Sequence, residues 1–133
     1  SRMEQLRKYN ENIGFSDHTK PYETGLIASK LAIWLGASCI ERHFTILDEN
    51  LTKDGPVSIN PHQLNELSEF GGYDKLKQKE IIEDEFPSWQ ASLGNPDRKL
   101  STEELMNRDY YRGRFASSLE NKVVNNWENF AKP

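Results

Sequence analysis

The sequence predicts an α/β protein built around two short parallel strands joined by a helix. Two runs, residues 13–17 and 37–44, have the apolar content of strands, and each has a histidine at or just beyond its end. An apolar segment of helical length lies between them, and a capped helix begins behind the second run at Asn60 and Pro61. Parallel strands joined in this way lie side by side, so their carboxyl ends meet at one edge of the sheet.

The chain is expected to begin inside an element, because residues 4–9 have the pattern of the last turns of a helix. The first strand, residues 13–17, is followed by a predicted loop over residues 19–23. The second strand, residues 37–44, includes Cys39, which is expected to be a buried thiol.

The helix between the strands is predicted from Thr24 to Leu35, with Thr24 as its N-cap and Gly36 as its stop. Its apolar residues recur at helical spacing along one stripe, which consists of Ile27, Leu31, Trp34 and Leu35. Because Trp34 belongs to this stripe, it is expected to pack in the core rather than to bind a ligand.

A polar loop and a second helix are predicted behind the second strand. The loop, residues 48–58, contains an Asp-Gly-Pro turn. The helix covers residues 61–70, and its apolar side consists of Leu64, Leu67 and Phe70. Gly71 and Gly72 are expected to end it, and His62 in its first turn is expected to be exposed.

The C-terminal part of the chain is more polar. Residues 73–85 are rich in charge and predict a solvated helix or loop. Ser101 and Glu104 form a capping box that starts a further helix. A β-hairpin is predicted from two runs, residues 110–117 and 122–127. These boundaries divide the chain into three segments, residues 1–72, 73–100 and 101–133.

The composition excludes several classes of protein. With 35% hydrophobic residues, 29% charged residues and a net charge of -4, the chain lacks the positive charge that recruits nucleic acid or anionic lipid. No apolar run reaches the length of a membrane span, and the first residues lack the apolar core of a signal peptide. The single Cys39 excludes an internal disulfide framework and fits a reducing compartment, so a cytoplasmic location is expected.

His18 and His43 are predicted to lie together at the ends of the two strands. Neutral imidazole is a common ligand of divalent metals, and Glu41, two residues before His43, returns to the same strand face. These residues predict a metal site; the alternative from spacing alone is unrelated polar residues at the ends of two elements. Asp17 and Arg42 alternate with the histidines and are therefore expected to point away from the site and to pair or cap behind it.

Three motifs carry a resemblance to a known family, and they cover residues 13–19, 35–45 and 58–61. The first is Ile-Gly-Phe-Ser-Asp-His-Thr, the second contains Ile-Glu-Arg-His-Phe-Thr, and the third is Ser-Ile-Asn-Pro, with Leu64 behind it. In this order they resemble the closing portion of the sialic acid synthase family, which makes N-acetylneuraminate and related nonulosonates such as legionaminate and pseudaminate. The resemblance is strong over residues 12–67 and weak beyond them.

The resemblance implies a (β/α)8 TIM barrel, whose active site lies at the carboxyl ends of its strands. The chain would supply the C-terminal portion, about a quarter of the barrel, namely strands 7 and 8 with their helices. Further helices and a β-hairpin tail would follow. Strand 7, helix 7, strand 8 and helix 8 would be residues 13–17, 24–35, 37–44 and 61–70.

Members of this family condense phosphoenolpyruvate with an N-acetylated hexosamine and release phosphate, using Mn²⁺ or Mg²⁺. By matching motif, His18 and His43 resemble the two histidine ligands of the metal. Glu41 resembles the carboxylate that orients or deprotonates a water, and Ser16 a position that helps to hold the phosphate of phosphoenolpyruvate.

Asp54 departs from the family pattern. The family places a substrate-binding aspartate after a Gly-Pro pair, whereas Asp54 precedes Gly55 and Pro56. Asp54 is interpreted as a contact to a sugar hydroxyl, with a turn-forming aspartate as the alternative. The loop over residues 20–25 is lengthened, which would alter the choice of sugar or be inert.

The resemblance predicts a fragment of a nonulosonate synthase that is inactive alone, because upstream strands would supply the other phosphate contacts. A homo-oligomer is expected, since exposed parallel strands favour self-association. The alternative is a non-catalytic sugar-binding, metal-binding or self-associating module derived from such a barrel. A third hypothesis is another metal-dependent phosphoenolpyruvate aldol-type synthase. In the tail, Arg112 and Arg114 are anion contacts or solvated hairpin arginines.

Overall fold

The computed structural model describes residues 1–95, 99–110, 116–119 and 122–125. The chain divides into two compact units, Ser1–Pro96 and Asp97–Pro133. None of the helices in the described ranges combines the length and the apolar character that a bilayer crossing requires.

The first unit is a mixed α/β structure with a small parallel sheet. Its helices are α1 (Arg2–Arg7), α2 (Pro21–Thr24), α3 (Ile27–Trp34), α4 (Pro61–Gly72) and α5 (Lys75–Glu85). Its strands are β1 (Gly14–Asp17) and β2 (Cys39–Arg42), and short 3-10 helices cover Glu49–Leu51, Gly55–Val57 and Trp89–Leu93. The two strands pair in parallel, which confirms the α/β class and the strand, helix, strand unit.

The register of the sheet places Gly14 opposite Cys39 and Ser16 opposite Glu41. Beyond β2 a single parallel bridge joins Phe44 to Ile59. Both strands are shorter than predicted, but they lie within the predicted runs. The residues that follow them, including both histidines, therefore sit at the carboxyl edge of the sheet.

The segment between β1 and α3 differs from the prediction of a loop followed by a helix with Thr24 as its N-cap. Pro21 starts the four-residue helix α2, of which Thr24 is the last residue. Proline is favoured at the first helical position because its ring fixes φ near the helical value. Gly25 then adopts φ +61°, a conformation that glycine tolerates, and α3 begins only after Leu26. The prediction for Thr24 is therefore wrong.

Two clusters of buried apolar side chains form the core around α3. The first consists of Leu26, Ile59 and Leu67. The second consists of Leu31, Phe70 and Ile82, with Trp34 packed against it. Trp34 also meets Trp89 edge to face, with the ring centroids 4.8 Å apart, so the predicted packing role of Trp34 is confirmed.

Helices α4 and α5 complete the packing on α3. The predicted Asn60 cap of α4 is confirmed by a reciprocal capping box with Gln63. The helix runs through Gly72 rather than stopping before the glycine pair, and Leu64 is about half exposed. Helix α5 is not merely solvated, because Ile82 is fully buried.

The second unit contains helix α6 (Thr102–Tyr110) and an antiparallel pair, β3 (Ala116–Leu119) and β4 (Lys122–Asn125). The predicted capping box is confirmed, because the side chain of Glu104 accepts from the backbone N–H of Ser101 at 2.7 Å. The predicted antiparallel pairing is confirmed, but its first strand is Ala116–Leu119 rather than residues 110–117, and Tyr110 ends α6 instead of starting a strand. Arg112 and Arg114 lie outside the described residues.

Candidate active site

The candidate site lies on one face of the β1–β2 pair, at its carboxyl edge. Successive side chains of a strand point to opposite faces, so Ser16 and Glu41, which are opposite each other in the register, share a face. The alternation continues to His18 and His43 just beyond the strands. Glu41, Ser16 and His18 are exposed and His43 is partly exposed. The face is therefore open to solvent in the described part of the chain.

Cys39 lies on this same face and is exposed, so the prediction of a buried thiol is wrong. The sequence correctly places Cys39 in a strand, but its alternation with Ile40 puts its side chain on the open side. Apolar neighbours in the sequence do not show which face of a strand the rest of the protein covers.

The two histidine side chains meet directly. Their Nε2 atoms are 3.2 Å apart, and the ring centroids are 5.0 Å apart at an interplanar angle of 62°. Two nitrogen ligands that are each about 2.1 Å from a metal and at roughly a right angle lie about 3.0 Å apart. The Nε2 separation of His18 and His43 therefore fits two adjacent ligands of one ion, and equally one shared N–H···N hydrogen bond.

The remaining donors do not complete a protein-only metal site. Within the described ranges no group of three or more His, Cys, Asp and Glu side chains converges closely enough to hold an ion. The distance between the two imidazoles fits two coordination positions of one divalent cation. Any further ligands would come from water, substrate or residues outside this chain.

Ser16 and Glu41 contact each other beside the histidines. The hydroxyl of Ser16 donates to Oε1 of Glu41 at 3.3 Å, and both side chains are exposed. This long hydrogen bond orients the carboxylate without burying it. A hydroxyl and a carboxylate in this state can each turn to a bound ligand at small cost.

Asp54 approaches the site from the loop behind β2. Its Oδ2 lies 3.9 Å from Nδ1 of His43, on the side of the ring away from His18. Asp54 precedes a 3-10 helix but makes no side-chain capping hydrogen bond to it. The turn instead requires glycine at position 55, where an added Cβ would lie 1.9 Å from the carbonyl oxygen of Glu49. The carboxylate of Asp54 is therefore not used to build the turn.

Behind the site lies a buried ion pair, as predicted for Asp17 and Arg42. The Arg42 guanidinium is 2.7 Å from Oδ1 of Asp17, and the two side chains are 4% and 1% exposed. Asp17 also accepts from the hydroxyl of Ser29 at 2.6 Å and from the backbone N–H of Thr19 at 2.8 Å. Burial alone would raise the pKa of the Asp17 carboxyl, but these hydrogen bonds and Arg42 hold the pKa below its ordinary value.

The roles of Thr19 and Ser29 in this network are not evident from the sequence pattern. The signal for Thr19 is its place two residues after Asp17, because an aspartate often accepts from the backbone N–H two positions on. The signal for Ser29 is a hydroxyl within a short and mostly apolar helix. His62, by contrast, is exposed as predicted.

Comparison with known proteins covers the same part of the chain. A model of the NeuB family matches residues 1–72. The N-acetylneuraminate-9-phosphate synthase of Drosophila melanogaster is 39% identical over 59 residues, which are 44% of this chain and 15% of that protein. The N,N'-diacetyllegionaminic acid synthase of Campylobacter jejuni is 39% identical over 67 residues, 49% of this chain and 19% of that protein.

A longer match extends past the two strands. The pseudaminic acid synthase of Campylobacter jejuni is 29% identical over 111 residues, which are 83% of this chain and 26% of that protein. The chain therefore spans between 15% and 26% of the length of these relatives. All three relatives are named as synthases of acidic sugars of the sialic acid type.

Proposed function

The chain belongs to the NeuB family, and from this premise we propose that it forms the closing strand and helix units of a (β/α)8 barrel synthase. The whole protein would condense phosphoenolpyruvate with an N-acetylated hexosamine and release phosphate. The observation that carries this proposal is the 3.2 Å approach of the His18 and His43 Nε2 atoms at the ends of adjacent parallel strands. Barrel enzymes keep their chemistry at that edge.

The sheet supports the barrel. Among the described residues β1 and β2 pair only with each other, apart from the bridge that follows β2. Parallel sheets are stable when several strands are covered by helices, and here α3 packs on both strands while α4 and α5 pack on α3. Because the chain spans at most 26% of the relatives described above, the other strands are proposed to lie in the rest of a longer protein.

The residues of the open face divide the work in this proposal. The imidazoles of His18 and His43 would hold Mn²⁺ or Mg²⁺, which when bound polarises the aldehyde of the open-chain sugar. Glu41 would orient a water and accept its proton. Ser16 would turn its hydroxyl from Glu41 to an oxygen of the phosphate. Asp54 would accept a hydrogen bond from a sugar hydroxyl, as its exposed carboxylate beside His43 allows.

The test compares histidine variants of the full-length protein. His18→Ala and His43→Ala are expected to weaken Mn²⁺ binding in calorimetry by about 100-fold or more, because each removes a direct ligand rather than an outer contact. Phosphate release from phosphoenolpyruvate and N-acetylmannosamine is expected to fall with it. His62→Ala is the matched control, because His62 is exposed and outside the site. Equal Mn²⁺ affinity in all three variants would contradict the proposal.

The 133-residue chain alone is expected to release no phosphate in the same assay, since phosphate contacts are proposed to lie upstream. Clear turnover by this chain would contradict that part of the proposal.

The cytoplasmic location also stays a proposal, which rests on the single Cys39.

One observation favours a second candidate, a non-catalytic module that associates with itself. The loop behind β2 exposes four large apolar side chains, Phe44, Ile46, Leu47 and Leu51. Exposed apolar side chains next to unpaired strand edges favour association between copies. Calorimetric titration of the full-length protein with phosphoenolpyruvate distinguishes the two, because both candidates are expected to self-associate and only the synthase is expected to bind phosphoenolpyruvate.

A further inference from the structure

We propose that Arg42 is a positioning residue, which holds the two residues on either side of His18 and thereby sets the distance between the two imidazoles. This inference rests on the proposed function, because a fixed distance between the imidazoles matters only if they bind a metal. The positioning of His18 by Arg42 requires no metal, so the proposed function and this inference can fail separately.

The paired residues of β1 and β2 end just before the histidines. The last pair is Asp17 with Arg42, so His18 and His43 are the first residues beyond the ladder. The backbone of His43 is fixed from its other side, because its carbonyl accepts from the N–H of Ile59 at 2.8 Å. His18 has no corresponding bridge in the described part of the chain, since the one isolated bridge joins Phe44 to Ile59.

Arg42 supplies that missing restraint with a single side chain. One guanidinium nitrogen lies 2.7 Å from Oδ1 of Asp17 and donates to the hydroxyl of Thr19 at 3.3 Å. The other terminal nitrogen donates to the carbonyl oxygen of Thr19 at 3.1 Å. The residues before and after His18 are therefore both held by the residue that precedes His43.

Asp17, Thr19 and Arg42 form a clamp around His18, and contacts within β1 and the turn after it complete this clamp. Oδ1 of Asp17 accepts from the backbone N–H of Thr19 at 2.8 Å and from its hydroxyl at 2.7 Å, so the chain bends tightly around His18. Ser29 ties Oδ2 of Asp17 to helix α3. A pair of side chains that are 4% and 1% exposed has little room to move.

The shape of the arginine matters as much as its charge. An ion pair with Asp17 alone could be made by lysine, which acts as a point charge, whereas the planar fork of arginine reaches two acceptors at once. The buried Nε of Arg42 has no hydrogen-bond partner in the described structure. The guanidinium is thus placed to reach Asp17 and Thr19, not to satisfy all of its own donors.

The test uses Arg42→Lys in the full-length protein, with Glu85→Gln as the matched control. Glu85 pairs at 2.6 Å with the buried Lys30, an ion pair that includes none of Asp17, Thr19 and Arg42, so this control weakens a different ion pair of a buried cation. Mn²⁺ affinity in calorimetry is expected to fall 10- to 100-fold in Arg42→Lys, as for other outer contacts of metal ligands. It is expected to stay within about twofold in Glu85→Gln, which changes stability without moving the histidines.

A second measurement needs no metal. In metal-free protein with isotope-labelled histidine, the nuclear Overhauser effect between the His18 and His43 rings is expected in the wild type and in Glu85→Gln. It is expected to be lost in Arg42→Lys. If the wild type binds no Mn²⁺, the metal part of the proposed function fails and this measurement decides the clamp.

Milder variants cover the case in which Arg42→Lys does not fold. Thr19→Val removes the hydroxyl contacts but keeps the backbone ones, so the ring-to-ring signal and the Mn²⁺ affinity are expected to fall partway. Thr19→Ser keeps a hydroxyl and is expected to restore both. A folded Arg42→Lys or Thr19→Val protein with the wild-type signal and affinity would overturn the proposal.

Discussion

The two faces of the β1–β2 pair carry similar polar residues but surround them differently. On the open face the polar contacts are long, from 3.2 Å between the histidines to 3.9 Å between Asp54 and His43. On the closed face Asp17 has contacts of 2.6 to 2.8 Å to Ser29, Thr19 and Arg42. The closed face therefore holds the strands in place, while the groups of the open face remain free to exchange partners.

The difference has a clear energetic consequence. Removing one partner of a buried ion pair leaves an uncompensated charge and costs about 3 to 5 kcal/mol, whereas an exposed polar pair contributes about 0 to 1 kcal/mol. Substitutions on the closed face should therefore change stability, and should change binding only by moving His18, whereas substitutions on the open face should change binding and leave stability nearly constant.

The largest effect is expected from Asp17→Ala. Arg42 would stay buried without its partner, so the free energy of unfolding should fall by about 3 to 5 kcal/mol in urea denaturation. Glu41→Ala is the matched control, since it removes a carboxylate from the open face of the same strand pair. It should cost less than about 1 kcal/mol. Equal losses in the two variants would contradict the division between the faces.

Acidification should selectively reduce the stability that the closed face contributes. The pKa of Asp17 is held below its ordinary value of 3.8, so the stability from this group is present above pH 3.8 and is lost as the pH falls towards the lowered pKa. Urea midpoints of the wild type and Asp17→Asn should therefore differ most near neutral pH. The difference between the two midpoints should shrink below the ordinary pKa. A difference that grows on acidification would contradict a lowered pKa for Asp17.

The sequence predicts the shared features of the two faces better than their differences. Alternation along a strand places Ser16, Glu41 and the histidines on one side, and it places Asp17 with Arg42 on the other. It does not show which side is covered, so the predicted burial of Cys39 is wrong and this residue is exposed.

Local structure between β1 and α3 was also beyond sequence patterns. Pro21 can stand in a loop or start a helix, and only the positive φ of Gly25 separates α2 from α3. The hydrogen bond from Ser29 to Asp17 joins residues on different elements, so no periodicity predicts it. By contrast, the Asn60 cap is a local signal and was predicted correctly.

Ser16→Ala should change binding while leaving stability nearly constant. A hydrogen bond to a charged group contributes about 1.5 to 3 kcal/mol, so the KM for phosphoenolpyruvate should rise roughly tenfold or more in the full-length protein. The free energy of unfolding should change by less than about 0.5 kcal/mol, as for other exposed substitutions. A loss of stability without a change in KM would show that Ser16 behaves like the residues of the closed face.

The smallest effect is expected from Asp54→Asn. Its carboxylate is 3.9 Å from His43 and 57% exposed, so Mn²⁺ affinity should fall by about tenfold at most, the low end for an outer contact. Asp48→Asn is the control, because Asp48 lies in the same loop and caps the 3-10 helix at Glu49–Leu51. Identical affinities in the two variants would remove Asp54 from the histidine site.

The central claim is that His18 and His43 bind one ion together. Pulsed electron paramagnetic resonance of Mn²⁺ bound to the full-length protein tests it by counting the imidazole nitrogens coupled to the metal. Two are expected in the wild type, and one in His18→Ala or His43→Ala at saturating Mn²⁺. Bound Mn²⁺ with no coupled imidazole nitrogen in the wild type would contradict the claim.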